Sequence, residues 1–111
     1  MQAKTKIALN DPQLEEAARL FGALSEPSRL RLLRALMVSP MTVGELVEST
    51  GLKQGNVSKH LALLLQHGFV ARVAEGNFAR YHIADKSLDE LCRLICTRIS
   101  DQFRTKAKML A

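Results

Sequence analysis

The segment from Thr42 to Gly68 constrains the fold of this chain more than any other. Thr42 is placed to cap a short helix over residues 43–49, and Gly51 in the following turn is free to adopt a positive φ. A second helix is predicted over about residues 53–67. Its buried face carries three apolar residues at helical spacing: Val57, Leu61 and Leu64. Two short helices joined by a glycine turn form a helix-turn-helix, here at about residues 43–67.

The hydrophobic period changes from helical to alternating after Gly68, which stands where a C-terminal glycine cap belongs. Two strands are predicted at residues 69–73 and 78–83, joined by residues 74–77. Gly76 and Asn77 in this connection both tolerate positive φ, which favours a hairpin. The chain therefore predicts a β-hairpin wing at about residues 69–83.

Two helices are predicted before the helix-turn-helix. The first covers about residues 12–24, with Asp11 as N-cap and Pro12 at its first position. Its expected buried stripe is Leu14, Ala17, Ala18, Phe21 and Leu24. The second is expected to end at Ser39-Pro40. Its expected buried stripe is Leu30, Leu33, Leu36 and Met37, and its arginines are Arg29, Arg31 and Arg34. A solvated face is favoured for these arginines over contact with DNA phosphate.

A long final helix is predicted over about residues 88–105. Ser87 and Glu90 have the spacing of a capping box at its start. One stripe of this helix contains Leu88, Cys92, Ile95, Ile99 and Phe103. Because the core of the preceding elements does not need this stripe, a partner helix from a second subunit is expected to bury Leu88, Ile95, Ile99 and Phe103. Residues 1–10 and 106–111 are expected to fray.

Length and charge narrow the class of protein. The 111 residues suit one domain, mainly α with a small β-hairpin, and 16 basic against 11 acidic side chains give a net charge of +5. This surplus suits a polyanion, and the scarcity of aromatic residues (5%) favours duplex DNA over single-stranded nucleic acid. No apolar run or signal peptide indicates a membrane or secretion, so a cytoplasmic protein is expected.

No motif indicates an enzyme or a cofactor. The sequence has no glycine-rich phosphate loop after a strand, no evident pair of catalytic carboxylates and no nucleophile elbow. The three histidines, His60, His67 and His82, are scattered and are interpreted as structural rather than as metal ligands.

The ordered motifs resemble those of the ArsR/SmtB family of bacterial repressors. The matching segments are Phe21-x-Ala23-Leu24-Ser25-x-Pro27-x-Arg29-Leu30, Gly44-Glu45-Leu46, Gly55-x-Val57-Ser58-x-His60-Leu61-x-x-Leu64, Gly68-Phe69-Val70, and Glu75-Gly76 to Arg80-Tyr81. They cover roughly residues 14–100. The resemblance implies a homodimeric winged helix-turn-helix repressor that inserts a recognition helix into the major groove. We expect its dimer to form through the first and last helices.

The outward face of the second helix-turn-helix helix has the chemistry of base recognition. It carries Lys53, Gln54, Asn56, Ser58, Lys59 and His60. Gln and Asn can pair bidentately with adenine, and Lys can reach guanine or phosphate. In the wing, Arg72 and Arg80 are candidate contacts to phosphate or the minor groove. The family often has a basic residue after the wing glycine, where this chain has Asn77.

The metal sites of the resembling family are absent from this sequence. Where the family has a thiolate motif in the first helix of the helix-turn-helix, this chain has Thr42-Val43-Gly44-Glu45-Leu46. Where the family has a site on the terminal helix, this chain has Asp85-Lys86-Ser87 and Arg98-Ile99-Ser100-Asp101. No metal site is therefore predicted. Cys92 and Cys96 share one face of the last helix, and two interpretations stay open: packing as small apolar residues, or an effector site for a thiophilic signal.

The sequence favours a repressor that binds a palindromic operator and releases it on an unidentified signal. The alternatives are a winged-helix protein-interaction module and a non-specific DNA-binding protein without an effector. An interaction module would expose more aromatic and Met side chains on the outward helix face, which is polar and basic here.

Overall fold

The computed structural model describes residues 8–110, and it confirms a mainly helical chain with a small antiparallel sheet. In chain order the elements are α1 (Asp11–Leu24), α2 (Pro27–Val38), β1 (Met41–Thr42), α3 (Val43–Thr50), α4 (Gln54–Gln66), β2 (Val70–Glu75), β3 (Phe78–Ile83) and α5 (Lys86–Leu110). No helix in this described part of the chain is both long and apolar enough to cross a membrane.

The core lies around α2, which packs against α3, α4 and β3. Its fully or nearly fully buried members come from every element except α1 and β1: Leu32, Leu33, Ala35, Leu36, Leu46, Val57, Leu61, Leu64, Val70, Tyr81 and Leu88. Because three elements cover α2, its buried face is wider than one stripe. The predicted Leu33 and Leu36 are buried, but Leu30 is 44% exposed and Leu32 takes its place in the core.

The helix α1 differs from its prediction at both its cap and its apolar stripe. The N-cap is Asn10 rather than Asp11, because the Asn10 side chain accepts from the Gln13 N–H and the Gln13 side chain accepts from the Asn10 N–H, both at 2.9 Å. Only Ala23 of this helix is buried. Leu14 and Phe21, predicted to be buried, are 51% and 63% exposed in the single chain.

The helix-turn-helix forms as predicted. Thr42 caps α3 through a reciprocal pair of hydrogen bonds with Glu45. Gly51 ends α3 with φ at +75°, and Gly68 follows α4 with φ at +78°. Both values lie in the left-handed region that glycine adopts at low cost, so these two residues fix where the helices stop.

The wing has one more strand and a tighter turn than predicted. The strands are ordered β1-β3-β2, and the two-residue β1 pairs Met41 with Tyr81. In the hairpin, Glu75 pairs directly with Phe78, so Gly76 and Asn77 alone form the turn. The predicted connection over residues 74–77 was wrong because Ala74 and Glu75 continue the β2 ladder.

The helix α5 begins earlier and ends later than predicted. It starts at Lys86, where the Asp85 carboxylate accepts from the backbone N–H of Ser87 at 2.9 Å and from its hydroxyl at 2.7 Å. The predicted capping box between Ser87 and Glu90 was therefore wrong, as was fraying of residues 106–110, which are helical. The expected fraying of residues 1–7 and 111 lies outside the described residues.

Candidate DNA-binding site

The helix α4 presents one buried and one exposed face. Val57, Leu61 and Leu64 are fully buried against the core. The surface outside this buried stripe, called the exposed face below, carries the predicted base-contacting residues Lys53, Gln54, Asn56, Ser58 and Lys59. Lys53 is the N-cap residue of α4 and not its first helical residue, so it lies at the N-terminal end of the helix. The structure thus leaves five of the six predicted helix contacts exposed.

The polar groups of this α4 face are free to bind another molecule. Among residues 8–110, the side chains of Gln54, Asn56, Ser58 and Lys59 take part in no hydrogen bond or ion pair. The first turn of α4 contains no acidic residue, and Lys53 makes no side-chain cap. The N–H groups and the positive dipole end of the helix are therefore open beside Lys53, which suits phosphate.

His60 does not belong to the outward face. Its side chain is 15% exposed, and its Nε2 lies 3.5 Å from Oε2 of Glu26, at the start of α2. Its Nδ1 lies 3.4 Å from Nη1 of Arg29. Periodicity places His60 at the edge of the polar face, but these two partners hold it between α2 and α4. The structure therefore corrects its assignment from a base contact to an interhelical contact.

The two wing arginines differ in their availability. Arg72 is exposed on β2, and its guanidinium has no partner within the described chain. Arg80 on β3 instead pairs with Glu75 at 2.8 Å and with Glu45 of α3 at 2.9 Å. Its hydrogen bond to Glu75 is the largest influence that raises the pKa of Arg80 above its ordinary value. Because two carboxylates neutralise Arg80, it ties the wing to α3, and Arg72 is the better candidate for phosphate.

Large apolar side chains of α1 and α5 are exposed in the single chain. They are Leu14 and Phe21 on α1, and Ile95, Ile99 and Phe103 on α5. Leu88 shares the α5 stripe but is only 3% exposed, because it packs into the core of its own chain. The prediction of Leu88 as an interface residue is therefore corrected, whereas Ile95, Ile99 and Phe103 stay exposed and their place in an interface stays a prediction.

The two cysteines have different surroundings. Cys92 packs partly against the core, and burial raises the pKa of its thiol, with Cys96 and Asp89 acting in the same direction. Cys96 is exposed. Within residues 8–110 no three His, Cys, Asp or Glu side chains are grouped as metal ligands. Cys92 is thus a half-buried, protonated thiol next to an accessible one.

Comparisons with known proteins agree with this geometry. A model of the bacterial regulatory proteins of the arsR family matches residues 26–72. The probable mercury resistance operon repressor of Streptomyces lividans is 36% identical over 80 residues, which are 72% of this chain and 64% of that protein. The transcriptional regulator CmtR of Mycobacterium tuberculosis is 38% identical over 89 residues, 77% of this chain and 75% of CmtR.

A solved structure extends the likeness to the wing and the last helix. The homodimeric winged helix-turn-helix DNA-binding domain Mb0332 of Mycobacterium bovis has a TM-score of 0.77 and 25% identity, over 88% of this chain and 94% of that domain. This overlap includes the helix-turn-helix and the sheet described above. On the shared sequence and the shared fold together, the chain belongs to the ArsR family of bacterial regulatory proteins.

Proposed function

We propose that this protein is a homodimeric, sequence-specific transcriptional repressor that binds a palindromic operator and releases it on a signal. The observation that carries the proposal is the exposed face of α4, whose amide and ammonium groups have no partner within the described chain. The role is regulatory and not enzymatic, and it places the protein in the cytoplasm with the chromosome. The whole chain acts as one DNA-binding domain.

Base recognition is assigned to the first turns of α4. Gln54 and Asn56 lie where a recognition helix enters the major groove, and each amide can donate to and accept from one adenine edge. Lys53 and Lys59 supply positive charge for guanine or phosphate. Two copies of α4 related by a twofold axis require two half-sites about 34–36 Å apart, which is why the operator is proposed to be palindromic.

Replacing Gln54 or Asn56 with Ala is expected to remove discrimination at particular base pairs. The loss should be about 1–3 kcal/mol at those pairs, because one bidentate contact to a base edge disappears. The measurement is competition binding on the duplex that the wild-type protein enriches from a random-sequence library. Gln66→Ala is the matched control, since Gln66 is exposed at the far end of the same helix.

The same assay distinguishes the other functions. Lys59→Ala should weaken all sequences alike and flatten the salt dependence if Lys59 touches phosphate, and it should act at one base pair if it reads guanine. If the wild-type protein binds the enriched duplex and a scrambled duplex with equal affinity at several salt concentrations, it is a non-specific DNA-binding protein. If it binds no duplex at all, the result indicates a protein-interaction module.

A second proposal concerns the signal, which we place at Cys92 and Cys96 as a site for a thiophilic metal. The two thiols lie one helical turn apart on α5, beside the proposed dimer surface, which consists of Leu14, Phe21, Ile95, Ile99 and Phe103. An ion bound there could rotate the subunits. The Streptomyces relative, a probable mercury resistance operon repressor, supports this class of signal. The raised pKa of Cys92 favours the competing interpretation, in which the thiol only packs.

Replacing both cysteines with Ser decides between these interpretations. If the thiols receive the signal, cadmium or mercury should release the wild-type protein from its enriched duplex, and the double variant should stay bound. Arsenite, peroxide and polysulfide test other thiol chemistry in the same release assay. A wild-type protein that ignores all five, or a double variant that still responds, would assign the pair to packing.

A further inference from the structure

We infer that Arg29 and His60 are positioning residues that set the recognition helix relative to the dimer, by joining the end of α1, the start of α2 and the middle of α4. This inference rests on the proposed function. It assigns neither residue to direct contact with DNA. The specificity of the protein then depends on a corner that does not itself touch DNA. This corner is formed by the side chains of Glu26, Arg29 and His60.

The guanidinium of Arg29 reaches partners on two other helices. Its Nε donates to the carbonyl oxygen of Ala23 at 2.5 Å, and its Nη2 donates to that of Gly22 at 3.4 Å. Both carbonyls belong to the last turn of α1. That of Gly22 also accepts from the backbone N–H of Ser25 at 3.1 Å and from its hydroxyl at 2.7 Å, so the short bond to Ala23 is the main link that Arg29 makes to α1. The third nitrogen, Nη1, lies 3.4 Å from Nδ1 of His60. One side chain of α2 thus links α1 to α4.

His60 continues the link to the first turn of α2. Nδ1 of His60 faces Nη1 of Arg29 at 3.4 Å, and its Nε2 faces Oε2 of Glu26 at 3.5 Å; the tautomer with its proton on Nε2 suits both contacts. Glu26 also accepts from the backbone N–H of Arg29 at 3.2 Å. Desolvation acts to raise the pKa of Glu26, but the backbone N–H groups of Ser28 and Arg29 lower it below its ordinary value. The carboxylate therefore stays ionised and keeps its place in the corner.

The position of this corner gives it a consequence for DNA binding. Only Ala23 of α1 is buried and only Leu24 of α1 packs partly against the core, so few apolar contacts fix the angle of α1. That helix nevertheless carries the exposed Leu14 and Phe21 of the proposed dimer surface. The angle between α1 and α4 then sets the distance between two recognition helices, which must match the half-site spacing. Removing the contacts of this corner should make that distance more variable, although every group proposed to touch DNA is still present.

The test uses variants that keep charge or volume. Arg29→Lys retains the cation, but one ammonium cannot reach the two carbonyls and His60 together. His60→Phe puts a phenyl ring in place of the imidazole and removes the contacts to Arg29 and Glu26. Each should lower the affinity ratio between the enriched and scrambled duplexes about tenfold, and combining them should add little more, because they break one network. Arg31→Gln, on an exposed arginine of the same helix, should change the ratio less than about twofold.

Salt dependence and thermal unfolding separate the competing explanations. In a positioning role, both variants stay folded and dimeric, the ratio falls and the salt slope is unchanged. The inference is overturned if Arg29→Lys retains the full ratio while Arg29→Gln lowers the salt slope, since Arg29 would then touch phosphate. It is also overturned if the variants lose thermal stability but their folded fraction keeps the native ratio. A wild-type protein that enriches no duplex would contradict the proposed function itself.

Discussion

The Ile99→Arg variant is expected to be monomeric and to lose operator binding, although its recognition helix is untouched. Ile99 is 44% exposed in the single chain, with Ile95 and Phe103 on the same face of α5. A twofold interface would bring two copies of the new guanidinium together in an apolar surface. The loss should be on the order of 3 kcal/mol, which corresponds to a roughly hundredfold weaker dimer.

Analytical ultracentrifugation and duplex binding check this result together. Thr97→Arg is the matched control, because Thr97 is exposed on the opposite face of the same helix and should leave the dimer intact. Circular dichroism is the check that both variants are folded. A wild-type protein that sediments as a monomer at micromolar concentration, or an Ile99→Arg dimer with native affinity, would contradict an α5 interface.

Local chemistry made the helix-turn-helix readable from the sequence. Thr42, Gly51 and Gly68 each act within a few residues of their own position, as a cap or as a backbone in the left-handed region. The same locality explains why the buried face of α4 was predicted correctly. The two-residue strand β1 was missed because it is too short to show any alternation.

Periodicity could not tell which partner covers an apolar stripe. Leu88 and Ile99 lie in one stripe of α5, yet the first packs in its own core and the second stays exposed. The stripe of α1 was likewise predicted to be buried, and the single chain leaves Leu14 and Phe21 exposed. A pattern of apolar residues shows that a helix face will be buried. Only the tertiary structure shows whether the same chain or a second subunit buries it.

Side-chain partners across long sequence separations were also beyond prediction. Arg80 meets Glu45 across 35 residues, and Arg29 meets His60 across 31. On the sequence, Arg29, His60 and Arg80 each look like a solvent-facing polar position. The Thr42 to Glu45 spacing of a capping box was a usable signal for Glu45, and no comparable signal marked the others.

Replacing Leu88 with Ala is expected to destabilise the fold of the single chain by about 2–5 kcal/mol, because it removes a buried side chain and leaves a cavity. Leu88 is 3% exposed and packs with the core that surrounds α2. Since dimerisation would add its own stability, the unfolding free energy is best measured in the Ile99→Arg background, by urea denaturation.

Leu94→Ala makes the same chemical change on the same helix at a position that is 66% exposed. Its effect in the monomeric background should stay within about 0.5 kcal/mol. Equal effects of the two substitutions would mean that Leu88 lies outside the core. If Leu88→Ala instead left the unfolding free energy unchanged and weakened only the wild-type dimer, Leu88 would return to the subunit interface. A large loss confined to Leu88 would place the boundary between core and interface on α5 after its first turn.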